Sequence, residues 1–383
     1  MWMAPYDRIS QRHKCFLIAR YGCSGRSHSI ARDSFGGRSA SQPLVTVRAR
    51  TLPRLGDMCG SIHSIESWRR RPTYTIGDQE IMTTASERLL LLNLGNPSRL
   101  LSISADGEDL QTLVADLGVA PDGIAIDPIH RHIFWTYMGT SHDGEDFFVN
   151  DGSLQRVDFD GSNRTVIVPE GKTFTPKQIV CDVKNEFIYW CDREGMRVMR
   201  ARLDGSQLTV LVQTGVTEKD RRDRRRHCVG VAVDSKAGFL YWTQKGKPNG
   251  NEGRILRARL DLNAGANPAN RSDIEVLFED LPEPIDLEWN EDSGHLYWTD
   301  RGDPPAGNTL NRAHIRAGQP MVREIVLTGL KEGIGLAIDR KNNRAFVSDL
   351  GGFIRVMSLA HPDNGKVIFS GHGPFTGIAY VNA

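Results

Sequence analysis

The sequence of 383 residues lacks the features that mark several classes of protein. It contains no run of about 18 apolar residues, so no transmembrane helix is predicted. No P-loop, G-x-S-x-G elbow or H-E-x-x-H motif occurs, and residues 333–335 lack the third glycine of a dinucleotide-binding turn. The sequence therefore gives no support to membrane insertion, nucleotide binding or nucleophilic catalysis.

The six cysteines show neither CxxC nor zinc-ligand spacing. Their thiols are expected to be free, which favours a reducing compartment. The apolar stretch 15–19 is too short for the core of a secretory signal. A cytoplasmic location is therefore predicted, and a mitochondrial location is the alternative if the N-terminal region is a transit peptide.

The formal net charge of +1 hides two regions of opposite charge. Residues 1–80 hold 13 Lys and Arg against 6 Asp and Glu, and residues 81–383 hold 35 against 41. The first region is rich in Arg and Ser and has no strand or helix period, so residues 1–84 are predicted to be a disordered basic arm. Three origins of the arm remain open: a transit peptide, a non-native extension ahead of a start at Met82, or an ordinary disordered tail.

A short apolar segment that ends in Asp or Asn recurs along the rest of the chain. Its copies are residues 123–127, 178–182, 230–234, 286–290 and 335–339. Seven positions after the last residue of each copy stands an aromatic residue: Phe134, Tyr189, Tyr241, Tyr297 and Phe346. These aromatics are 55, 52, 56 and 49 residues apart, longer than the spacing of about 40–45 in WD-repeat blades. The period suits a repeat of four strands with long loops.

Each aromatic opens a four-residue segment. Residues 189–192 read Tyr-Trp-Cys-Asp, 241–244 Tyr-Trp-Thr-Gln and 297–300 Tyr-Trp-Thr-Asp, and residues 134–137 and 346–349 are more distant copies. These segments resemble the YWTD repeat of the low-density lipoprotein receptor class B. The resemblance covers about residues 85–383 and implies an all-β fold, a six-bladed β-propeller. Side chains alternate along a strand, so the motif residues are expected to be core on both faces of each blade.

The two ends of this region are complementary. Residues 376–381 match the innermost strand of the repeat but have no partner strands after them, whereas residues 89–93 form a strand that lacks an innermost strand before it. Pairing of residues 376–381 with 89–93 is predicted to complete the sixth blade of a domain 85–383. Closure of the ring removes the exposed edges of an open sheet.

One rim of such a propeller carries the loops that lead into each inner strand and the loops between second and third strands. Binding is expected at this rim. The rim candidates are Asp122, Lys177, Gln178, Arg226, His227, Glu283, Asp286, Lys331, Glu332 and Phe375. The densest charge is the run 221–227, Arg-Arg-Asp-Arg-Arg-Arg-His, which is either a site for phosphate or an acidic peptide or a solvated insertion.

The receptor members of this class have cysteine-rich modules and a membrane helix, and the sequence shows neither, so a stand-alone intracellular propeller is expected. It is predicted to be a noncatalytic binding or scaffold module, monomeric, whose rim takes a protein or a small polar molecule. Nucleic acid is not an expected partner, because the propeller region is net negative and no aromatic residues interleave with the arginine run. A membrane is not expected either, because no long apolar run occurs.

The alternative is an enzyme at the channel mouth, a metal-dependent hydrolase of the lactonase type or an isomerase, serving as an accessory factor in metabolite biosynthesis. No cofactor is expected for the binding module. The enzyme alternative requires a divalent cation, for which Asp286, Glu288 and Asp122 are the candidate ligands.

Overall fold

The computed structural model describes residues 87–382 except 142–145, 264, 317 and 363–364. The predicted basic arm, residues 1–84, lies outside the described residues. In chain order the strands are β1 Glu87–Asn93, β2 Arg99–Ser104, β3 Gln111–Val114, β4 Pro121–Asp127, β5 His132–Tyr137, β6 Gly152–Asp158, β7 Thr165–Thr173, β8 Pro176–Asp182, β9 Phe187–Asp192, β10 Arg197–Arg202, β11 Thr209–Gln213, β12 Cys228–Asp234, β13 Phe239–Gln244, β14 Gly253–Arg259, β15 Glu275–Leu281, β16 Pro284–Asn290, β17 His295–Asp300, β18 Thr309–His314, β19 Glu324–Leu327, β20 Gly333–Asp339, β21 Arg344–Asp349, β22 Phe353–Ser358, β23 Lys366–Ser370 and β24 Phe375–Asn382.

The strands form six antiparallel sheets of four strands each, so the predicted six-bladed β-propeller is confirmed. Blades 1 to 5 are β4–β7, β8–β11, β12–β15, β16–β19 and β20–β23, from the innermost strand outward. Blade 6 is β24, β1, β2 and β3. Helical structure in the described residues is limited to a one-turn α-helix, Glu218–Arg221, and two 3-10 turns, Val183–Asn185 and Arg224–Arg226. None of these helices is long enough to cross a membrane.

Large aromatic side chains fill the spaces between blades. The motif tryptophans of blades 1 to 4, on the second strands, are fully buried: Trp135, Trp190, Trp242 and Trp298. The first aromatic of one blade shares a core cluster with the tryptophan of the next, in the pairs Phe134 with Trp190, Tyr189 with Trp242 and Tyr241 with Trp298. The two motif aromatics of one blade therefore stabilise its packing against both neighbours.

The third motif residue ties neighbouring inner strands together. In blade 3, the Thr243 hydroxyl accepts a hydrogen bond from Gly230 N at 2.7 Å and donates to Ile285 O of blade 4 at 2.9 Å. In blade 2, Cys191 takes this place and its thiol donates to Gly230 O at 3.1 Å. The motif is thus framework, as expected from the alternation of the strand.

The ring closes in blade 6. Strands β24 and β1 pair antiparallel from Glu87 opposite Asn382 to Asn93 opposite Phe375. Among the described cysteines, Cys181, Cys191 and Cys228 are free thiols. The other three cysteines of the chain lie outside the described residues.

Candidate functional site

The central channel opens at the rim where the inner strands begin. We call this opening the mouth. Four cationic and three acidic side chains come together there, from blades 2, 3 and 4 and from the inner strand of blade 1. They are Asp122, Lys177, Arg193, Glu194, Lys245, Glu283 and Arg301. Three of the rim candidates, Asp122, Lys177 and Glu283, belong to the mouth.

The position directly after the YWTD-like segment delivers three of the cations. The backbone N–H of this residue bonds to a carbonyl just before the inner strand of the same blade: Arg193 to Thr175 O at 2.9 Å and Arg301 to Glu283 O at 2.9 Å, with Lys245 placed likewise. In blades 2, 3 and 4 this position is Arg, Lys and Arg, whereas Met138 and Leu350 occupy it in blades 1 and 5. The repeat geometry therefore groups three cations on one side of the channel.

Each cation of the mouth has an acidic partner. Lys177 Nζ lies 2.5 Å from Asp122 Oδ1, and Arg193 Nη2 lies 2.6 Å from Glu194 Oε1. Glu283 is shared, because its Oε1 contacts both Lys245 Nζ, at 2.9 Å, and Arg301 Nη2. Glu332, at the edge of the mouth, adds a fourth carboxylate, whose charge acts on Arg301.

Burial at the mouth shifts the ionisation of these groups. Burial and the nearby charge of Arg301 lower the pKa of Lys245 to about 7, although Glu283 acts in the opposite direction. Burial alone raises the pKa of Glu283, but the charges of Arg301 and Lys245 outweigh it and hold the pKa below its ordinary value. Lys245 therefore changes charge close to neutral pH while its partner stays ionised.

The arginine run is engaged with its own surroundings. The Arg221 guanidinium donates to Glu194 O at 2.7 Å and lies 3.7 Å from the centre of the Phe174 ring. Arg222 stacks over Phe148, and Arg225 pairs with Asp223 at 2.9 Å. The segment supports the mouth from outside, because Arg221 holds the backbone of Glu194.

Two of the remaining rim candidates border the mouth, since the charge of Glu194 acts on the His227 ring and that of Glu332 acts on Arg301. The others lie apart from it. His227 is buried, with Nε2 at 2.7 Å from Arg221 O, and Arg226 faces a cavity of about 550 Å³ beside β11 and β14. Lys331 is exposed over the Phe353 ring, and the backbone of exposed Glu332 donates to Asn308. The structure places Phe375 in the core between blades, fully buried, and not on the rim surface. Gln178 and Asp286 line the channel below the mouth.

Arg193, Lys245, Arg301 and Glu194 are site residues that the sequence reasoning did not select. A signal for the three cations was available, since they share the position after the motif in successive copies. Glu194 had no such signal, because its role depends on the fold of one loop.

Blade 4 departs from the repeat inside the channel. At the positions of Asp286 and Glu288, blades 1, 3, 5 and 6 have Gly and Ala. The glycines are needed there: a Cβ on Gly230 would lie 2.1 Å from Ile285 O of the next blade. Asp286 instead bridges to blade 5, where it accepts from Leu336 N at 2.9 Å.

Burial governs the ionisation of both channel carboxyls. It raises the pKa of Glu288 to about 7. It also raises the pKa of Asp286 well above its usual range, with a further contribution from the charge of Glu288.

These carboxyls do not complete the cation site of the enzyme alternative. In the described ranges no group of three or more His, Cys, Asp or Glu side chains is arranged to hold a metal ion. Asp122 is instead paired with Lys177. The candidate ligands Asp286, Glu288 and Asp122 therefore do not form a ligand set.

Replacing Glu288 by Ala is expected to stabilise the propeller above neutral pH. Its pKa rises from 4.5 to about 7 on folding, so the folded state binds more protons in this range and stability falls as pH rises through it. The variant has no such group, and its advantage in the free energy of unfolding is expected to reach about 3 kcal/mol near pH 8. Urea denaturation near pH 5 and pH 8 measures the difference.

The control for this experiment is Glu279→Ala, at an exposed position on β15. It is expected to follow the parent at both pH values. If the free energy of unfolding changed with pH in the same way in the parent and in Glu288→Ala, the ionised Glu288 carboxyl would not be what destabilises the folded state.

No protein-family model matches the chain. It is 45% identical over 295 residues to low-density lipoprotein receptor-related protein 1 of Pyricularia oryzae, covering 74% of this chain and 92% of that protein. It is 38% identical over 292 residues to a 3-hydroxyacyl-CoA dehydrogenase-like protein of Cochliobolus heterostrophus, covering 73% of this chain and 60% of that protein. The chain thus spans less than two thirds of this second relative.

Solved structures agree on the fold. A chain of the nidogen–laminin complex superposes with a TM-score of 0.59 at 20% identity, covering 77% of this chain and 98% of that one. A gluconolactonase of Xanthomonas campestris gives a TM-score of 0.50 at 16% identity, covering 76% and 87%. These identities are too low to carry more than the fold. With its extensive similarity to the Pyricularia protein and its six blades, five of which carry a YWTD-like segment, the chain belongs to the family of YWTD-repeat, low-density lipoprotein receptor class B β-propellers.

Proposed function

We propose that this chain is a noncatalytic binding module that holds an acidic segment of a partner protein at the mouth. The observation that carries the proposal is the grouping of Arg193, Lys245 and Arg301 at one repeat position beside the channel opening. A fold of this kind does not require cations there, since Met138 and Leu350 take the same place in blades 1 and 5.

An anionic group would relieve the electrostatic cost of the mouth. The charge of Arg301 lowers the pKa of Lys245, so the two cations oppose each other across Glu283. A further carboxylate would bond to guanidinium donors by charge-assisted hydrogen bonds, which are stronger than neutral ones. The Arg301 side chain is 25% exposed and is therefore accessible to such a ligand.

A protein is favoured over a small metabolite because the same rim also displays apolar side chains. Val119, Val149 and Val216 are 59%, 41% and 73% exposed, in loops that lead into inner strands or join second and third strands. Protein interfaces bury apolar side chains together with polar groups. The nidogen relative in fold is likewise a component of a protein complex, with laminin.

The test uses a hexaglutamate peptide and its neutral hexaglutamine counterpart as probes, with calorimetric titration at low salt. The parent is expected to bind the acidic peptide at least about tenfold more tightly, the effect of a charge-assisted hydrogen bond. Lys245→Met, which removes the charge but keeps the length, is expected to lose most of this preference. The matched control is Lys366→Met, an exposed lysine of the outermost strand of blade 5.

The same titration has an expected pH dependence. Lys245 is protonated below its pKa of about 7 and neutral above it, whereas the peptide carboxylates stay ionised. Affinity of the parent for hexaglutamate is therefore expected to fall from about pH 6 to about pH 8, and the profile of Lys245→Met to be flatter. Equal binding of the two peptides by the parent, or an unchanged preference in the variant, would refute the proposal.

A further inference from the structure

A cavity of about 440 Å³ occupies the channel below the mouth. All six inner strands contribute to its wall, which consists mainly of Ile, Val, Leu and Ala side chains. Exposed residues at the far ends of these strands also border it: Lys184, Ser235, Glu291 and Arg340. The cavity therefore opens at the rim opposite the mouth, and its ligand is independent of the acidic segment proposed above.

Three polar side chains in this wall depart from the repeat. Gln178 and Asp286 replace the glycine that blades 1, 3, 5 and 6 have at this level, and Glu288 replaces their alanine. Apolar cavities with a few converging polar groups are the usual form of a small-molecule site. The departures from the repeat are concentrated in blades 2 and 4, whose inner strands face the same cavity.

The hydrogen-bonding capacity of these three side chains is only partly used by the described residues. Gln178 is 4% exposed, and its side-chain nitrogen has no hydrogen-bond partner among the described residues. Asp286 is 6% exposed and is bonded to Leu287 N and Leu336 N, so part of its role is structural. Glu288 forms neither a hydrogen bond nor an ion pair with any residue in the described ranges; the charges that act near it are those of Arg340 and of the neighbouring Asp286.

We propose that this channel binds a small molecule that combines a protonated amine with an apolar body. The Glu288 carboxylate is the counter-ion of the ammonium group, and the Gln178 amide bonds to a polar atom of the same molecule. The Ile, Val and Leu side chains of the inner strands enclose the apolar body.

The positive charge of the proposed ligand follows from the free energy that it costs to keep a buried carboxyl ionised. A buried carboxylate without a partner is unstable and takes up a proton instead. An ammonium group restores the ionised form, because an opposite charge at close range favours it. A neutral or anionic ligand would leave this cost in place or increase it.

The test compares 2-phenylethylammonium with the neutral isostere 2-phenylethanol by calorimetric titration near pH 8. The ammonium probe is expected to bind at least about tenfold more tightly than the alcohol, because one charge-assisted bond differs between them. Glu288→Ala introduces the residue that four other blades have at this level, so it suits the fold, and it is expected to abolish the difference. Glu279→Ala, on the exposed face of β15, serves as the matched control and should preserve it.

Three results would overturn the proposal. These are the absence of saturable binding for both probes, equal affinities of the parent for the two probes, and a preference for the ammonium probe that survives in Glu288→Ala. A thermal melt of each variant shows that it is folded before the titration. The mouth is unchanged in these variants, so a failure here leaves the hexaglutamate result unaffected.

Discussion

A chain that ends before residue 375, and so lacks β24, is expected to lose cooperative folding. This strand supplies the inner edge of blade 6 and pairs with β1, placing Ile378 opposite Leu91. Its removal takes away the buried side chains Phe375 and Val381 and exposes Leu89, which is fully buried in the closed ring. Each such side chain contributes about 1.5–3 kcal/mol, so the total is comparable to the ~5–15 kcal/mol that stabilises a typical domain.

Circular dichroism during thermal unfolding measures this loss. The control is a chain that ends at Asn382 and keeps the whole of β24. It is expected to melt like the full chain. If the shortened chain kept a cooperative transition within a few degrees of the parent, the closure would not be the step that holds the ring together.

The second large effect is expected for Glu283→Ala at the mouth. Glu283 is the shared partner of Lys245 and Arg301, and its side chain is 3% exposed. Its loss leaves two cations close together without their carboxylate, and breaking a buried pair in this way costs roughly 3–5 kcal/mol. The lower end of that range is expected, because Arg301 is partly exposed and Lys245 can release its proton.

The pH dependence separates this mechanism from a simple packing defect. Without Glu283 the pKa of Lys245 falls below its value of about 7 in the parent, so the lysine becomes neutral more readily. The destabilisation is therefore expected to be larger near pH 6 than near pH 8, as measured by urea denaturation at the two values.

An exposed ion pair provides the control for Glu283→Ala. Glu324, on the outermost strand of blade 4, is 54% exposed and pairs with Arg312 at 2.8 Å. Its replacement by Ala is expected to cost less than about 1 kcal/mol, since solvent screens such pairs. Similar losses for the two variants would mean that the mouth is not a desolvated charge cluster.

The fold could be predicted from the sequence because the repeat is visible in the order of residues along the chain. The seven-residue offset between the end of an inner strand and the first motif aromatic corresponds to a tight turn between β4 and β5 and its counterparts in the other blades. The buried Trp135 and Trp298 occupy equivalent places in this pattern. Local turn length and strand alternation were sufficient to predict the blades.

Only part of the candidate site could be predicted from the sequence. Asp122, Lys177 and Glu283 were selected because they stand where inner strands begin, and the structure brings them together at the mouth. Phe375 was selected on the same rule, yet its side chain faces the core, since the residue at the start of a strand can point to either side. The rule locates the backbone and not the direction of each side chain.

The arginine run shows contacts that the sequence did not predict. Its charge density favoured either an anion site or a solvated insertion. In the structure Arg222 and Arg225 are largely exposed, whereas Arg221 bonds to Glu194 O and contacts the Phe174 ring. Strands β10 and β11, the outer half of blade 2, lie between residues 194 and 221 in the chain. The contact between these two residues depends on the path of the loop after β11, which has no periodic signal.

The six-bladed class of this protein follows from its amino-acid sequence alone, because repeated apolar alternation and turn spacing are local properties that add up to a closed ring. Which charges meet depends on the assembled fold. Lys245 and Glu283 come from loops of adjacent blades, and their ionisation depends on how much water the assembled mouth excludes. In the same way, Glu288 became a costly carboxyl only when six inner strands enclosed it in an apolar channel.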